Sequence, residues 1–138
     1  MAPIYRVDVE ITAPVYDTEV TSRVEDAVRN LFPNAEPDER FGEVTATVHS
    51  LEHFSECLHR QEILDTARGE FFKHREGDTF HFALKKQAAF EGRVNFSVGE
   101  PDELGEIAVR VRVDEPDLEA YVDHIAPPTE DGRPIDAE

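Results

Sequence analysis

The residues with the clearest chemical potential are basic side chains gathered between His59 and Asn95. This stretch, called here the basic segment, holds seven of the chain's 14 basic residues and all of its lysines. Only six of the 31 acids fall inside it, so the segment is near +1 in a chain of net charge −17. Guanidinium and ammonium groups bind phosphate, and a glutamine amide can read a base edge. The candidate nucleic-acid contacts are Arg60, Arg68, Lys73, Arg75, Lys85, Lys86, Gln87 and Arg93.

Two groups within the basic segment carry this prediction. At 100° per residue, Arg68 and Arg75 would lie within about 20° of each other on one helix. Lys85, Lys86 and Gln87 follow the end of an expected strand. We therefore expect these side chains, Arg68, Lys86 and Gln87 among them, to share one exposed face, where they would bind nucleic acid.

A second interpretation gives the same residues a structural role. Arg68 lies three residues after Asp65, and Arg75 lies close to Glu76 and Asp78, so local ion pairs would satisfy both arginines. Phenylalanines near the segment would then fill the core, although exposed rings would offer stacking surfaces for bases. These rings are Phe80, Phe82, Phe90 and Phe96.

Metal binding is the next chemistry that the spacing suggests. His49, His53 and Cys57 recur every four residues, which would place them on one face of a continuous helix. Ser50 is the expected cap of that helix, however, and a cap there leaves His49 outside it. We therefore predict no metal site.

The sequence contains no recognised catalytic motif. G-x-S-x-G, the P-loop and G-x-G-x-x-G are all missing from it. Asp65 is the one acid that we single out, because Thr66 and Arg68 follow it on an expected helix. An enzyme built from Asp65, His53 and Cys57 is an alternative that would require the three side chains to converge. We assign no catalytic residue and no cofactor.

Apolar periodicity predicts the elements that position these residues. The predicted strands are Ile4–Thr12, Glu43–His49, Asp78–Leu84, Phe90–Val98 and Ile107–Val113. The predicted helices begin at Asp17 or Thr18, at Ser50, after a bend at Arg60–Gln61, and at Pro116 or Asp117. This order predicts an α+β fold, with a mainly antiparallel sheet and helices packed on one face. We expect a single domain over residues 1–126 and an acidic tail over 127–138.

The charge balance indicates a habitat more than an activity. Carboxylates at this density repel nucleic acid at low salt, but the Debye length falls from about 10 Å at 0.1 M to about 3 Å at 1 M. We therefore expect a salt-adapted, haloarchaeal-like source and do not exclude an RNA partner. Cys57 is the only cysteine, and no leader pattern or apolar run near 18 residues is present. These features predict a cytoplasmic protein without a membrane segment.

Two blocks of the basic segment resemble a known family. Gln61-Glu62-Ile63-Leu64-Asp65-Thr66-Ala67-Arg68 is similar to the Q-x-I-L-D-T-A-R block of a small, uncharacterised archaeal protein family. Phe82-Ala83-Leu84-Lys85-Lys86-Gln87-Ala88-Ala89 resembles its block ending in K-Q-A-A. Asn30-Leu31-Phe32-Pro33 and Ala126–Gly132 resemble two further elements, whereas Pro14–Glu19 and Glu103–Gly105 depart from the family's pattern.

The resemblance implies a fold similar to the large-subunit ribosomal protein that binds 5S RNA. It also implies RNA binding, linked to RNA processing, without established catalytic residues. Arg68, Lys86 and Gln87 are the candidate contacts that lie at matched positions. A protein–protein module remains the alternative, for example a homodimer in which Arg68 and Lys86 meet acids of a second copy.

Overall fold

A six-stranded antiparallel sheet forms the centre of the protein, seen here in a computed structural model that describes residues 5–98, 105–130 and 133–134. The strands are β1 Arg6–Pro14, β2 Asp38–Arg40, β3 Glu43–Val48, β4 Arg75–Glu76, β5 Thr79–Lys85 and β6 Glu106–Glu115. Their order across the sheet is β2-β3-β1-β6-β5-β4. The long strands β1 and β6 pair with each other at the middle.

Five helices accompany the sheet within the described residues. They are α1 Thr21–Leu31, α2 Glu52–Arg60, α3 Leu64–Lys73, α4 Lys86–Phe90 and α5 Leu118–Ile125. The short strands β7 Thr129–Glu130 and β8 Arg133–Pro134 pair as a separate hairpin. The structure confirms the predicted α+β class with its mainly antiparallel sheet.

Strict alternation separates the two faces of the sheet. In β1 the buried residues are Val7, Val9, Ile11 and Ala13, and in β6 every second residue from Ile107 to Val113 is buried. Alternate side chains of a strand point to opposite faces, so these residues face the core. The remaining positions of β1 and β6 form an open, polar face.

Aromatic side chains fill the core beneath the helices. The Phe54 ring lies 5.3 Å from that of Phe82, and the Phe71 ring lies 5.0 Å from the same ring. Phe80 and Phe96 are buried beside them. Three of the four candidate stacking rings, Phe80, Phe82 and Phe96, are therefore core residues, as the structural interpretation requires.

Most helix boundaries fall close to the predicted ones. The bend between α2 and α3 lies at residues 61–63, where it was expected. The Asp117 carboxylate caps α5 by accepting a hydrogen bond from the Ala120 N–H at 2.8 Å. The first helix begins later than predicted, at Thr21 with Val20 as its N-cap. The helix starts later because a turn precedes it, in which the Glu19 carboxylate accepts a hydrogen bond from the Tyr16 N–H at 3.1 Å.

The prediction of a strand over Phe90–Val98 is wrong. Residues 86–90 form α4, and a turn with Gly92 at φ 74° follows it. The segment after this turn runs beside β5 but makes only one isolated bridge with it, between Phe96 and Leu84. Apolar residues alternate here because they fill the edge of the core.

The beginning of the tail contacts the body of the protein. The Thr129 hydroxyl donates a hydrogen bond to the Asp65 carboxylate on α3. Residues 131, 132 and 135–138 of the predicted acidic tail lie outside the described residues, as does Ile4 of the first predicted strand.

Candidate nucleic-acid interface

Lys86, which was predicted to bind RNA, is completely buried. Its side chain is 0% exposed, and its Nζ donates hydrogen bonds to the Pro14 carbonyl at 2.6 Å and to Glu19 Oε1 at 2.9 Å. The ammonium group also lies 5.1 Å from the centre of the Tyr16 ring. Lys86 therefore joins the start of α4 to the connection between β1 and α1.

Arg68 is also used inside the molecule. Its Nη1 donates to Asp123 Oδ1 at 2.7 Å and to the Ala126 carbonyl at 2.9 Å, and its guanidinium lies 5.2 Å from the Phe72 ring centre. The side chain is 22% exposed. Arg68 thus fixes the end of α5 to α3, with a partner different from the Asp65 that its spacing suggested.

The prediction that Arg68, Lys86 and Gln87 share an exposed face is therefore wrong. Gln87 alone among them is exposed. The sequence does indicate that Lys86 is buried. It continues the series of inward-facing residues Phe80, Phe82 and Leu84 at intervals of two residues. The homodimer hypothesis also loses its proposed contacts, since Asp123 and Glu19 of the same chain already pair with Arg68 and Lys86.

Arg75 lies outside the helix that was expected to present it. Helix α3 ends at Lys73, and Arg75 belongs to β4. Its Nη1 lies 2.9 Å from Glu119 Oε1 of α5, at the surface. The predicted alignment of Arg68 and Arg75 along one helix is therefore wrong as well.

Gln61 has a role that the sequence reasoning missed. Its Nε2 donates to the Val94 carbonyl at 2.7 Å, and its Oε1 accepts from the Val94 N–H at 2.8 Å. The amide thereby bonds the Val94 backbone as a neighbouring strand would, and this pair of hydrogen bonds is called here the Gln61 clamp. The two arginines that precede these residues, Arg60 and Arg93, are exposed beside this clamp.

Asn30 supports α4 from the other side. Its Nδ2 lies 3.0 Å from the Ala89 carbonyl and 3.3 Å from the Phe90 carbonyl, so it caps the end of this helix. Helix α4 is thus held by Lys86 at its start and by Asn30 at its end. Its exposed side is consequently a fixed surface.

Six basic side chains make no ion pair with an acid among residues 5–98 and 105–129. They are Arg23, Arg60, Lys73, Lys85, Arg93 and Arg110. Four of the six lie around α4. Lys85 immediately precedes this helix and Arg93 follows it. Arg23 lies 5.7 Å from the centre of the Phe90 ring at the end of α4, and Arg60 precedes Gln61, which bonds the segment after α4.

A cleft of about 840 Å³ lies between the start of α1, the end of β5 and α4. Its lining includes two of the predicted contacts, Lys85 and Gln87, together with Arg23, Phe90 and Asn95. Glu19 and Glu91 also line it, but the charge of Glu19 is balanced by Lys86. The cleft therefore combines cations, amides and one aromatic ring in a space within the usual size range of ligand sites.

Lys73 and Arg110 lie elsewhere, in a groove of about 530 Å³ on the open face of the sheet. His74 and His81 line the same groove, with ring centres 4.9 Å apart. This groove separates Lys73 from the other predicted contacts. The eight predicted residues are thus divided among the cleft, the Gln61 clamp, this groove and internal bonds.

The histidines and the cysteine do not assemble a metal site within the described residues. His49 Nδ1 lies 3.2 Å from Asp8 Oδ1, whereas His53 Nε2 lies 3.7 Å from Cys57 Sγ. Burial raises the pKa of the Cys57 thiol, and nearby Arg60 partly opposes that rise. Asp65 bonds Thr129 instead of joining His53 and Cys57, so the convergence required by the enzyme hypothesis is not seen.

The sequence and the fold both resemble those of known archaeal proteins. A family model described as RNA binding matches residues 8–114. A UPF0200/UPF0201 protein of Archaeoglobus fulgidus is 41% identical over 130 residues, which are 94% of this chain and 40% of that protein. A UPF0201 protein of Aeropyrum pernix is 35% identical over 94% of this chain and 91% of its own length.

A solved structure agrees with these sequence matches. The crystal structure of a UPF0201 protein from Methanococcus jannaschii superposes with a TM-score of 0.87 at 36% identity, over 94% of this chain and 99% of that one. The chain belongs to the UPF0201 family of archaeal proteins. No helix in the described part of the chain is long and apolar enough to cross a membrane.

Proposed function

We propose that this protein binds RNA without catalysing a reaction, through the surface around α4. This α4 surface consists of Arg23, Arg60, Lys85, Gln87, Arg93 and Asn95. The carrying observation is that four of the six cations without an ion-pair partner in the described residues gather here, in a chain of net charge −17. The family's description as RNA binding supports the same conclusion.

The chemistry of the α4 surface suits a ribonucleotide chain. Lysine and arginine would hold successive phosphates, while the Gln87 and Asn95 amides would reach sugar or base edges. Helix α1 begins beside the cleft without a side-chain cap and without an acid in its first turn. The positive end of its dipole therefore adds to the attraction for phosphate.

The acidic surface of the protein repels RNA, but this repulsion is compatible with binding in a salt-rich cytoplasm, which we propose as the protein's setting. Screening there would remove long-range repulsion while short contacts at the α4 surface remain. A place in RNA processing or beside the ribosome is the finer form of this proposal. In the same proposal, residues 127–138 are an acidic tail that follows a domain spanning 1–126.

Binding measured across salt tests the proposal. Once the general repulsion is screened, fluorescence anisotropy of a labelled single-stranded RNA should show affinity falling as KCl rises further, with a log–log slope of about −0.7 per phosphate contact. Lys85→Glu and Arg23→Glu should each weaken binding and make the slope shallower by about 0.7.

Arg6→Glu provides the matched control. Arg6 is exposed and begins β1, whereas Pro14 at the other end of the strand contacts Lys86. At roughly 3.3 Å per residue the two ends are about 26 Å apart. If all three variants bind alike, the α4 surface is not the interface; if the parent binds no RNA at any salt concentration, RNA binding itself is excluded.

A further inference from the structure

Phe41 is the outlier among the nine phenylalanines of the chain. Its side chain is 103% exposed relative to the reference state, whereas the other eight are buried or partly buried. It stands at the tip of the hairpin that joins β2 to β3, where Phe41 and Gly42 form the turn. A large apolar group fully in water at this position contributes nothing to the core.

The backbone at this tip also disfavours phenylalanine. Phe41 has φ 53° and Gly42 has φ 78°. Hairpin turns with two positive φ angles prefer asparagine, aspartate or glycine, because other side chains are strained there. Neither the turn nor the packing explains the ring, and strained residues without a structural reason concentrate at functional sites.

The hairpin tip lies next to the α4 surface. The Val15 N–H donates to the Gly42 carbonyl at 2.8 Å, which holds the tip against the connection between β1 and α1. In that connection Tyr16 is 43% exposed and Val20 is 60% exposed. Val20 also lines the cleft beside Arg23. Exposed apolar side chains thus lead from Phe41 to the cleft.

We propose that Phe41 stacks on an unpaired base of an RNA strand whose backbone lies on the α4 surface. The ligand is then single-stranded RNA, and this inference rests on the proposed function. One exposed ring is enough for a base to stack on, and such stacking accepts any base.

The surroundings of the ring argue against a protein–protein interface. Asp38, Glu39, Arg40 and Glu43 flank it, and all of them are exposed. The centre of a protein interface is depleted of charged residues, and a standard interface buries about 800 Å² on each side. A single ring among four charged residues does not fit that description. Arg40 pairs with Asp38 at 3.0 Å, which reduces the negative charge beside the ring.

A tryptophan at the tip would report stacking directly. The chain contains no tryptophan, so Phe41→Trp introduces a single indole, which can be excited separately from the three tyrosines. Its emission should be quenched when a single-stranded oligoadenylate RNA is titrated in. Val98→Trp is the control, because Val98 is 62% exposed but lines the groove on the open face of the sheet; its emission should stay unchanged.

Phe41→Asn separates binding from folding. Asparagine tolerates the positive φ, so the thermal midpoint should stay the same or rise. Affinity for single-stranded RNA should fall roughly 5- to 100-fold, the range expected for the loss of one stacked base. Affinity for double-stranded RNA should stay at the parent's level.

Other outcomes would contradict the stacking of Phe41 on RNA, and they point to three different conclusions. If Phe41→Asn binds RNA as tightly as the parent, stacking is refuted and the proposed function stands. The same conclusion follows if the Phe41→Trp variant binds RNA by anisotropy but its emission is not quenched. Emission that depends on protein concentration alone would assign the ring to a contact between copies. A parent that binds no RNA would remove the proposed function and this inference together.

Discussion

At the scale of single residues, two neighbouring lysines show how position outweighs chemical type. Lys85 lines an open cleft, whereas Lys86 is enclosed between α4 and the β1–α1 connection. The buried ammonium group is stabilised by the Glu19 carboxylate and the Pro14 carbonyl. Such a buried pair adds little net stability, but removing one partner leaves an uncompensated charge.

Lys86→Met should therefore destabilise the protein severely. The Glu19 carboxylate would stay buried without its cation, and the expected loss is about 3–5 kcal/mol in the free energy of unfolding. Urea denaturation measures this loss. Lys85→Met makes the same chemical change one residue earlier and should cost no more than about 0.5 kcal/mol. Equal losses in the two variants would contradict the roles assigned to these lysines.

At the scale of elements, periodicity predicted the elements whose apolar pattern is long. The boundaries of β1, β3, β5 and β6 were predicted to within two residues, because alternation over six or more positions is a strong signal. Helix α4 has five residues, too few to show a helical period, so its existence could not be predicted. The pattern after it was mistaken for a strand.

The candidate interface was predictable only in part, because it depends on contacts between residues that are distant in the sequence. Lys85 and Gln87 were recognised by type and do line the cleft. Arg23 and Asn95 were missed because they come from α1 and from the segment after α4, which the chain brings together only after folding. Gln61 begins the Gln61–Arg68 block that resembles the family, but its partner Val94 lies 33 positions away. The spacing of residues along the chain cannot reveal such a contact.

Gln61 should matter for stability in a way that Gln87 does not. Gln61→Ala would leave both backbone groups of the buried Val94 without their partners, at an expected cost of about 1–3 kcal/mol. Gln87→Ala removes an exposed amide and should leave the free energy of unfolding unchanged within about 0.5 kcal/mol. Guanidinium denaturation of both variants compares the two glutamines directly. A neutral Gln61→Ala would show that the segment after α4 holds its position by apolar contacts alone.

At the scale of the whole molecule, excess negative charge dominates. A net charge of −17 on 138 residues makes the compact state repel itself. Most ion pairs in the described residues lie at the surface and contribute little individually. Stability should therefore depend on how well the solvent screens the carboxylates.

Salt should raise the thermal midpoint by several degrees. Screening lengths fall from about 10 Å at 0.1 M to about 3 Å at 1 M, so most of the gain should come below 1 M KCl. Calorimetry across KCl concentrations measures the curve, with NaCl as a comparison that should behave alike. A midpoint that increases linearly through several molar without levelling would point to exclusion of salt from apolar surface instead. RNA affinity, by contrast, should fall with added salt once this repulsion is screened.

The position of β6 has a consequence for synthesis of the chain. This strand lies between β1 and β5, yet it comprises residues 106–115 and leaves the ribosome after both of its neighbours. Until it emerges, the nascent chain holds two unjoined parts, β2-β3-β1 and β5-β4, each with an open edge. Such long-range pairing slows folding and leaves these edges exposed to other chains. The two halves of the sheet must therefore wait for the strand that joins them, and the unfinished chain needs protection until residue 115 has left the ribosome.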